Sequence, residues 1–187
     1  MKNLPLNLGR FDHYTLIVPN AEECTRFHIE VLGFEWVRKH LVNAGSAPEG
    51  KYDMLNHLLH LPGDKSRTLV ITEGLTDNSI FRKYLSTYGA GIHHVAYEVD
   101  NLEASFTILQ NANIPLTSKN IIHDPLSGLQ QVFISKESTG YFIELIERSP
   151  STGKGVFKEK NIVQLANTMN SYLDNNKAGN LHPNNIE

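Results

Sequence analysis

The sequence predicts an α+β fold in which a βαβββ module occurs twice and a further helix follows at the C-terminus. Three observations carry that expectation. Residues 11–22 (FDHYTLIVPNAE) line up with residues 92–103 (IHHVAYEVDNLE), so that Val18 matches Val99, Asn20 matches Asn101 and His13 matches His94. Each copy runs from a β-branched and aromatic stretch into a helical one, and then into a turn at Gly33-Phe34 or Asn113-Ile114. After each helix come short alternating apolar runs separated by Gly, Pro, Asp or Ser.

Taken in order, the first module spans about residues 10–85. Strand one covers 11–18. A helix from Ala21 to Val31 follows, with Gly33 past its end at the position where a left-handed backbone closes a helix. Phe34 to Arg38 alternates as strand two. The stretch from His40 to Asp53, with Gly45, Pro48 and Gly50, has no firm period and reads as a long-tipped hairpin or a mobile loop. Strands at 56–61 and 68–73 and a short helix at 80–85 complete the module. The second, about 90–148, opens with the Gly89-Ala90-Gly91 turn and strand 92–99. Asp100 or Asn101 caps a helix at 102–111. A turn at 124–128, strand 129–135, a second turn at 137–140 and a last strand at 141–147 follow. Residues 149–187 read as a Gly/Ser/Pro linker, an amphipathic helix through Ile162, Leu165, Met169 and Leu173, and a flexible Asn-rich tail.

Composition narrows the function. The net charge is −3 with no basic run, which argues against a nucleic-acid partner. No apolar run is long enough to span a bilayer and no signal peptide opens the chain, so a cytoplasmic protein with no membrane partner is expected. The lone cysteine, Cys24, excludes an intrachain disulfide and reads as a helix-packing residue.

The adjacent His93 and His94 lie in a predicted strand, where successive side chains alternate, so one ring at most is expected to face a given cavity. His94 is the one matched to His13; His93 is expected on the opposite face. Glu144 shares its strand face with Phe142 and Ile146, and a carboxylate on so apolar a face needs a partner. His57, His60 and His123 are further candidates for a pocket.

With a histidine in the first strand of each module and a glutamate in the last strand, residues 10–148 resemble the vicinal oxygen chelate superfamily, the glyoxalase, bleomycin-resistance and dioxygenase group. That resemblance implies a cupped mixed sheet around one divalent metal, with His13, His94 and Glu144 as ligands. Imidazole and carboxylate suit Fe(II), Zn, Co, Mn or Ni.

Two branches are similar in different places. Residues 75–80, 83–85 and 89–99, with Lys136 and 138–140, look like methylmalonyl-CoA epimerase. That branch and glyoxalase I imply a fourth ligand at the repeat partner of Glu144. Aligning Glu147 with Glu73 makes that partner Val70, which cannot bind a metal. Glu49 and Asp53 are the carboxylates near the place of the epimerase base.

Residues 84–96, 129–133, 142–148 and the tail 153–157 with its helix resemble the catalytic half of 4-hydroxyphenylpyruvate dioxygenase. This implies Gln131, Phe133 and Phe157 around a substrate, with Thr72 in the place of a substrate-contacting Asn. A three-ligand set leaves room for a bidentate substrate and dioxygen. The expectation is therefore a non-haem iron dioxygenase, with Fe(II), dioxygen and a small α-keto acid or aromatic substrate. A metal-dependent epimerase- or glyoxalase-type isomerase or lyase is the alternative, and a metal-free binding (resistance) protein the second. The segment from Gly153 to Leu173 is expected to gate the pocket, or else to cover a sheet edge or the surface of a homodimer.

Overall fold

The computed structural model describes residues 4–123, 128–148 and Tyr172. Its strands are β1 (Leu8–Ile17), β2 (Glu35–Val42), β3 (Met54–Leu61), β4 (Asp64–Gly74), β5 (Gly91–Val99), β6 (Ile122–His123), β7 (Gln130–Ile134) and β8 (Phe142–Glu147). The helices are α1 (Ala21–Glu30), α2 (Ile80–Tyr88) and α3 (Leu102–Asn111). All strands join one mixed sheet in the order β2-β3-β4-β1-β5-β8-β7-β6. That order is the α+β, glyoxalase-type βαβββ arrangement, with the halves back to back. In each half the first strand pairs in parallel with the last (β1 with β4, β5 with β8), and the halves meet through the antiparallel β1–β5 ladder.

The repeat extends to the caps. Asn20 Oδ1 accepts from the Glu23 amide at 3.1 Å and Asn101 Oδ1 from the Ala104 amide at 2.8 Å, so each module starts its helix with the same side chain. A carboxylate from the last strand covers each helix start. Glu73 accepts from the Ala21 amide at 2.8 Å and Glu147 from the Leu102 amide at 2.7 Å, where negative charge complements the helix dipole.

Alternation along the strands sorts the side chains onto two faces. On the convex face, α1 packs on Leu55, Leu59, Leu69 and Ile71, and α3 packs through Leu102 and Leu109 on Val132 and Leu145. On the concave face, Ile17, Met54, Phe133 and Phe142 pack against Ile80, Phe81 and Tyr84 of α2. Phe133 and Phe142 are fully buried, and truncating either to Ala costs about 3–5 kcal/mol. Gly74 lets the end of β4 approach α2, because a Cβ there would lie 2.4 Å from the Arg82 amide nitrogen.

The unpatterned stretch resolves into order. β2 continues to Val42, and the loop that follows is held by Asp53, which accepts from the Ala44 amide at 2.6 Å, the Ser46 amide at 2.8 Å and Ser46 Oγ at 2.5 Å. A side chain acting at a distance of several residues leaves no periodic signal. The two-residue edge strand β6 was also unexpected, being too short to alternate. Among the described residues no helix is long and apolar enough to cross a membrane. The linker 149–155, Phe157 and the helix expected to act as a gate lie outside the described residues, Tyr172 apart. Its ring rests 5.2 Å from that of Phe142, and its hydroxyl donates to Glu137.

Candidate metal centre

Three chain segments far apart in sequence meet at the middle of the cup. His13 on β1, Ala96 on β5 and Glu144 on β8 lie in register across the sheet, and His94 stands two residues back along β5. Paired residues in a ladder share a face. The small Ala96 therefore leaves a gap into which His13, His94 and Glu144 all project, each buried: 1%, 4% and 1% exposed. His13 Nε2 lies 3.1 Å from Glu144 Oε2 and 3.2 Å from His94 Nε2, and His94 Nε2 lies 3.5 Å from the same oxygen. Neighbouring ligands on one ion with bonds of about 2.0–2.2 Å stand about 3.0–3.5 Å apart, so these separations suit a shared cation.

The carboxylate gives the stronger test of fit. Both Glu144 oxygens are buried and neither makes a hydrogen bond of acceptable geometry. A buried carboxylate left in that state is costly unless a cation compensates it. In the metal-free protein His13 partly fills that role. Burial opposes a charge on its ring, but Glu144 and then Asp12 outweigh it and push its pKa up to about 9. His94 goes the other way: burial, then His93 and His13, hold its pKa well below the usual histidine value.

A pair of bulges, invisible to strict alternation, sets the outer hydrogen bonds of both rings. The β1–β5 register slips between Phe11 and His13, leaving Asp12 as an extra residue on β1, and again between Thr15 and Leu16, leaving His93 as an extra residue on β5. Asp12 and His93 are equivalent in the repeat. Asp12 Oδ2 lies 2.8 Å from His13 Nδ1, and His93 Nδ1 lies 2.8 Å from His94 Nδ1. The expectation that His93 faces away from His94 is thus corrected, because the bulge rotates it beside its neighbour. It does not reach the cleft; its ring is buried against Tyr84 and Phe142, at 4.8 and 5.0 Å between centroids. Burial, with Lys136 adding to it, holds the His93 pKa down to about 3, so it remains a neutral acceptor.

Asp12 in turn accepts from Arg148 Nη2 at 2.8 Å and Nε at 3.2 Å. Burial favours its protonation, but the hydrogen bonds from His13 and Arg148 outweigh that and hold it well below the usual carboxylate range. Each ligand histidine therefore has a partner at Nδ1 that points its Nε2 inward, as is common around metals. Asp12 was legible only as the neighbour of His13, and its role was not.

The triad forms the floor of a cleft, open at one side, whose walls include Thr15, Arg38, His40, Met54, Asn56, Leu58, Val70, Thr72, Phe81 and Gln131. Gln131, expected near a substrate, is there. Phe133 instead packs behind, with its ring 5.5 Å from that of His94. Of the three further histidines none lines the cleft. His57 faces α1, with Nδ1 2.7 Å from Thr25 Oγ1; His60 lies near the far end of β3; and His123 is exposed on β6. Neither candidate carboxylate lines it either: Asp53 is committed to its loop, and Glu49 is exposed. Asn56, which accepts from Thr72 Oγ1 at 2.7 Å, is not legible in the sequence, because a polar residue in a short apolar strand has no distinctive pattern. Val70 pairs with Thr15 as Glu144 pairs with Ala96, so an aliphatic side chain occupies the repeat position of the carboxylate.

Residues 12–133 match the glyoxalase/bleomycin resistance protein/dioxygenase superfamily. The chain belongs to that superfamily. Its members are mostly enzymes and typically bind a divalent metal, and the buried group described above could hold one. A relative, the uncharacterized protein YqjC of Bacillus subtilis (strain 168), is 25% identical over 141 residues, covering 75% of this chain and 93% of that one. Among solved structures, methylmalonyl-CoA epimerase from Mycobacterium tuberculosis superposes with a TM-score of 0.62 at 22% identity, over 79% of this chain and 93% of that one. A variant of the Streptomyces coelicolor epimerase in complex with 2-nitronate-propionyl-CoA gives 0.60 at 18%, over 76% and 96%. The hypothetical protein BH1468 from Bacillus halodurans gives 0.59 at 17%, over 75% and 94%. At these identities the structural likeness establishes the superfamily's fold. It lends no support to a specific tie with 4-hydroxyphenylpyruvate dioxygenase.

Proposed function

We propose that this protein is a metal-dependent isomerase or lyase of the epimerase–glyoxalase kind, holding one divalent cation on His13, His94 and Glu144. The observation that carries the proposal is the Glu144 carboxylate, buried, without a hydrogen bond, and 3.1 and 3.5 Å from the Nε2 atoms of two histidines. The epimerase likeness among solved structures moves the reading from the dioxygenase to the isomerase. A divalent cation there supplies Lewis-acid polarisation of a substrate carbonyl, stabilising the charge that develops on its oxygen as an α-proton leaves.

The chain's own side chains do the rest. Asp12 and His93 fix the ring tautomers of His13 and His94. Met54, Leu58, Val70 and Phe81 keep part of the cleft dry, which strengthens the electrostatic interactions within it. Thr15, Asn56, Thr72 and Gln131 supply polar atoms to orient a small molecule. Outside the triad, the titratable side chains on the cleft walls among the described residues are Arg38 and His40. Arg38 is a permanent cation, so a ring nitrogen of His40 is assigned to accept the α-proton and return it.

A specific observation also favours the oxygenase reading. Two histidines and one carboxylate, with Val70 in the repeat position of Glu144, form the open three-ligand set that non-haem Fe(II) oxygenases use. One pair of assays separates the two. Protein loaded in turn with Zn, Co, Mn, Ni or Fe(II) is given carbonyl substrates in D2O, methylmalonyl-CoA and arylpyruvates among them. Deuterium uptake at the α-carbon without oxygen consumption supports the isomerase. Oxygen consumption confined to the Fe(II) form overturns it in favour of the dioxygenase. Absence of stoichiometric metal overturns both.

A further inference from the structure

The cleft has a second charged feature that metal binding does not use. Arg38 projects into it from the edge strand β2, with its Nε buried and lacking a hydrogen-bond partner among the described residues. Its pKa is lowered by burial, with no acidic neighbour acting against that. Acids along the same edge are already committed to lysines: Glu22 lies 2.7 Å from Lys39 Nζ, and Glu35 lies 2.9 Å from Lys65 Nζ. The carboxylate that lines the cleft, Glu144, faces His13 and His94. A half-buried guanidinium without a counter-charge among the described residues is costly unless an anion is delivered to it.

Sheet register shows what lies between Arg38 and the metal ligands. Arg38 pairs with Leu58, Leu58 with Val70, Val70 with Thr15, and Thr15 with His94. These residues form one row across the concave face, and each of them lines the cleft. The row is therefore cationic at one end, apolar through Leu58 and Val70, and metal-binding at the other.

We infer that the substrate is a small acid with a chelating head, a short apolar middle and an oxyanion tail, and that Arg38 binds the tail. This rests on the proposed metal site for the head alone. With a divalent cation on two neutral imidazoles and one carboxylate the floor is positive, and Arg38 adds to it, so the loaded cleft favours an anion with charge at both ends. The planar fork of arginine suits a carboxylate or a phosphoryl group, and its charge-assisted hydrogen bonds exceed neutral ones in strength.

The test is a binding comparison, by calorimetry, on zinc-loaded wild-type protein and the Arg38→Met and Arg38→Lys variants. Circular dichroism and zinc content check that each variant folds and loads. Probes are 2-oxo diacids from 2-oxoglutarate to 2-oxosuberate, each paired with the 2-oxo monoacid of the same chain length. A third set ends in a phosphonate, and whether it or the diacids bind better tells a phosphoryl tail from a carboxylate one. In the wild type at least one anionic-tailed probe binds about 10- to 100-fold more tightly than its monoacid. Arg38→Met reduces that ratio to near one without changing monoacid affinity, and Arg38→Lys restores part of it. A wild-type ratio near one at every length, or a ratio that persists in Arg38→Met, overturns the inference. The same ratio is read on metal-free protein with adipate and hexanoate. A protein that takes up no zinc would therefore sink the metal reading while the guanidinium is still judged.

Discussion

Replacing His93 by Phe tests the bulge arrangement at the point where it differs most from plain strand geometry. When His94 Nε2 binds a cation, the ring proton must sit on Nδ1, which faces His93 Nδ1 at 2.8 Å. Phe keeps a ring between Tyr84 and Phe142 but removes the acceptor. A buried N–H without a partner costs about 1–3 kcal/mol, or roughly 5- to 150-fold in an equilibrium constant. The metal-free protein avoids that cost by moving the proton to Nε2, which lies 3.0 Å from Thr15 Oγ1. The loss therefore falls on metal affinity and not on the fold. Competition titration against a chromophoric chelator should show zinc affinity lowered about 10- to 100-fold, with stoichiometric binding still reached at saturation. The melting temperature of the metal-free variant should remain within a few degrees of wild type. A zinc affinity within twofold of wild type refutes the assignment, and equal losses in metal affinity and metal-free stability would mean that His93 matters through packing alone.

Five other outcomes are expected. Asp12→Asn should weaken zinc binding about 10- to 100-fold by the same titration, because it removes the charge behind His13 Nδ1 and turns an amide donor toward Arg148. With His13 pushed up to about 9 in the metal-free protein, a cation must displace its proton, so zinc affinity should rise about tenfold per pH unit through neutrality and level off near pH 9. The raised pKa also stabilises the metal-free fold, fully below about pH 6.5 and progressively less as pH rises toward 9, which denaturant titrations across that range should record. Ala96→Val should fill the gap between His13 and Glu144, destabilise the fold by about 1–3 kcal/mol in urea titration and abolish stoichiometric metal. Val70→Glu should restore the repeat partner of Glu144 and tighten zinc or cobalt binding; unchanged affinity would show that the two positions are not equivalent about the cation.

Much of the site was legible because the chain repeats itself. One frame matched His13 to His94, another matched Val70 to Glu144, and the strand register places both pairs as the frames require. Burial of Glu144 followed from its apolar strand face. What was not legible depends on single inserted residues. A bulge changes the face of one side chain without altering composition or period, so Asp12 and His93 could not be assigned from alternation. Alternation was equally silent on Arg38, which is notable for having no carboxylate beside it among the described residues. His57 is not a pocket residue for the converse reason: His is polar, yet it lies on the convex face, with Nδ1 against Thr25 beneath α1. The dioxygenase expectation leaned in part on residues 153–157, which lie outside the described chain.

Metal content tests the central claim most directly. Wild-type protein and the His13→Ala, His94→Ala and Glu144→Gln variants are dialysed to equilibrium against zinc, and bound metal is measured together with circular dichroism. The account predicts one zinc per wild-type chain and loss of stoichiometric zinc in each folded variant. Retention of one zinc per chain in all three variants, or no zinc in the folded wild type, would contradict it.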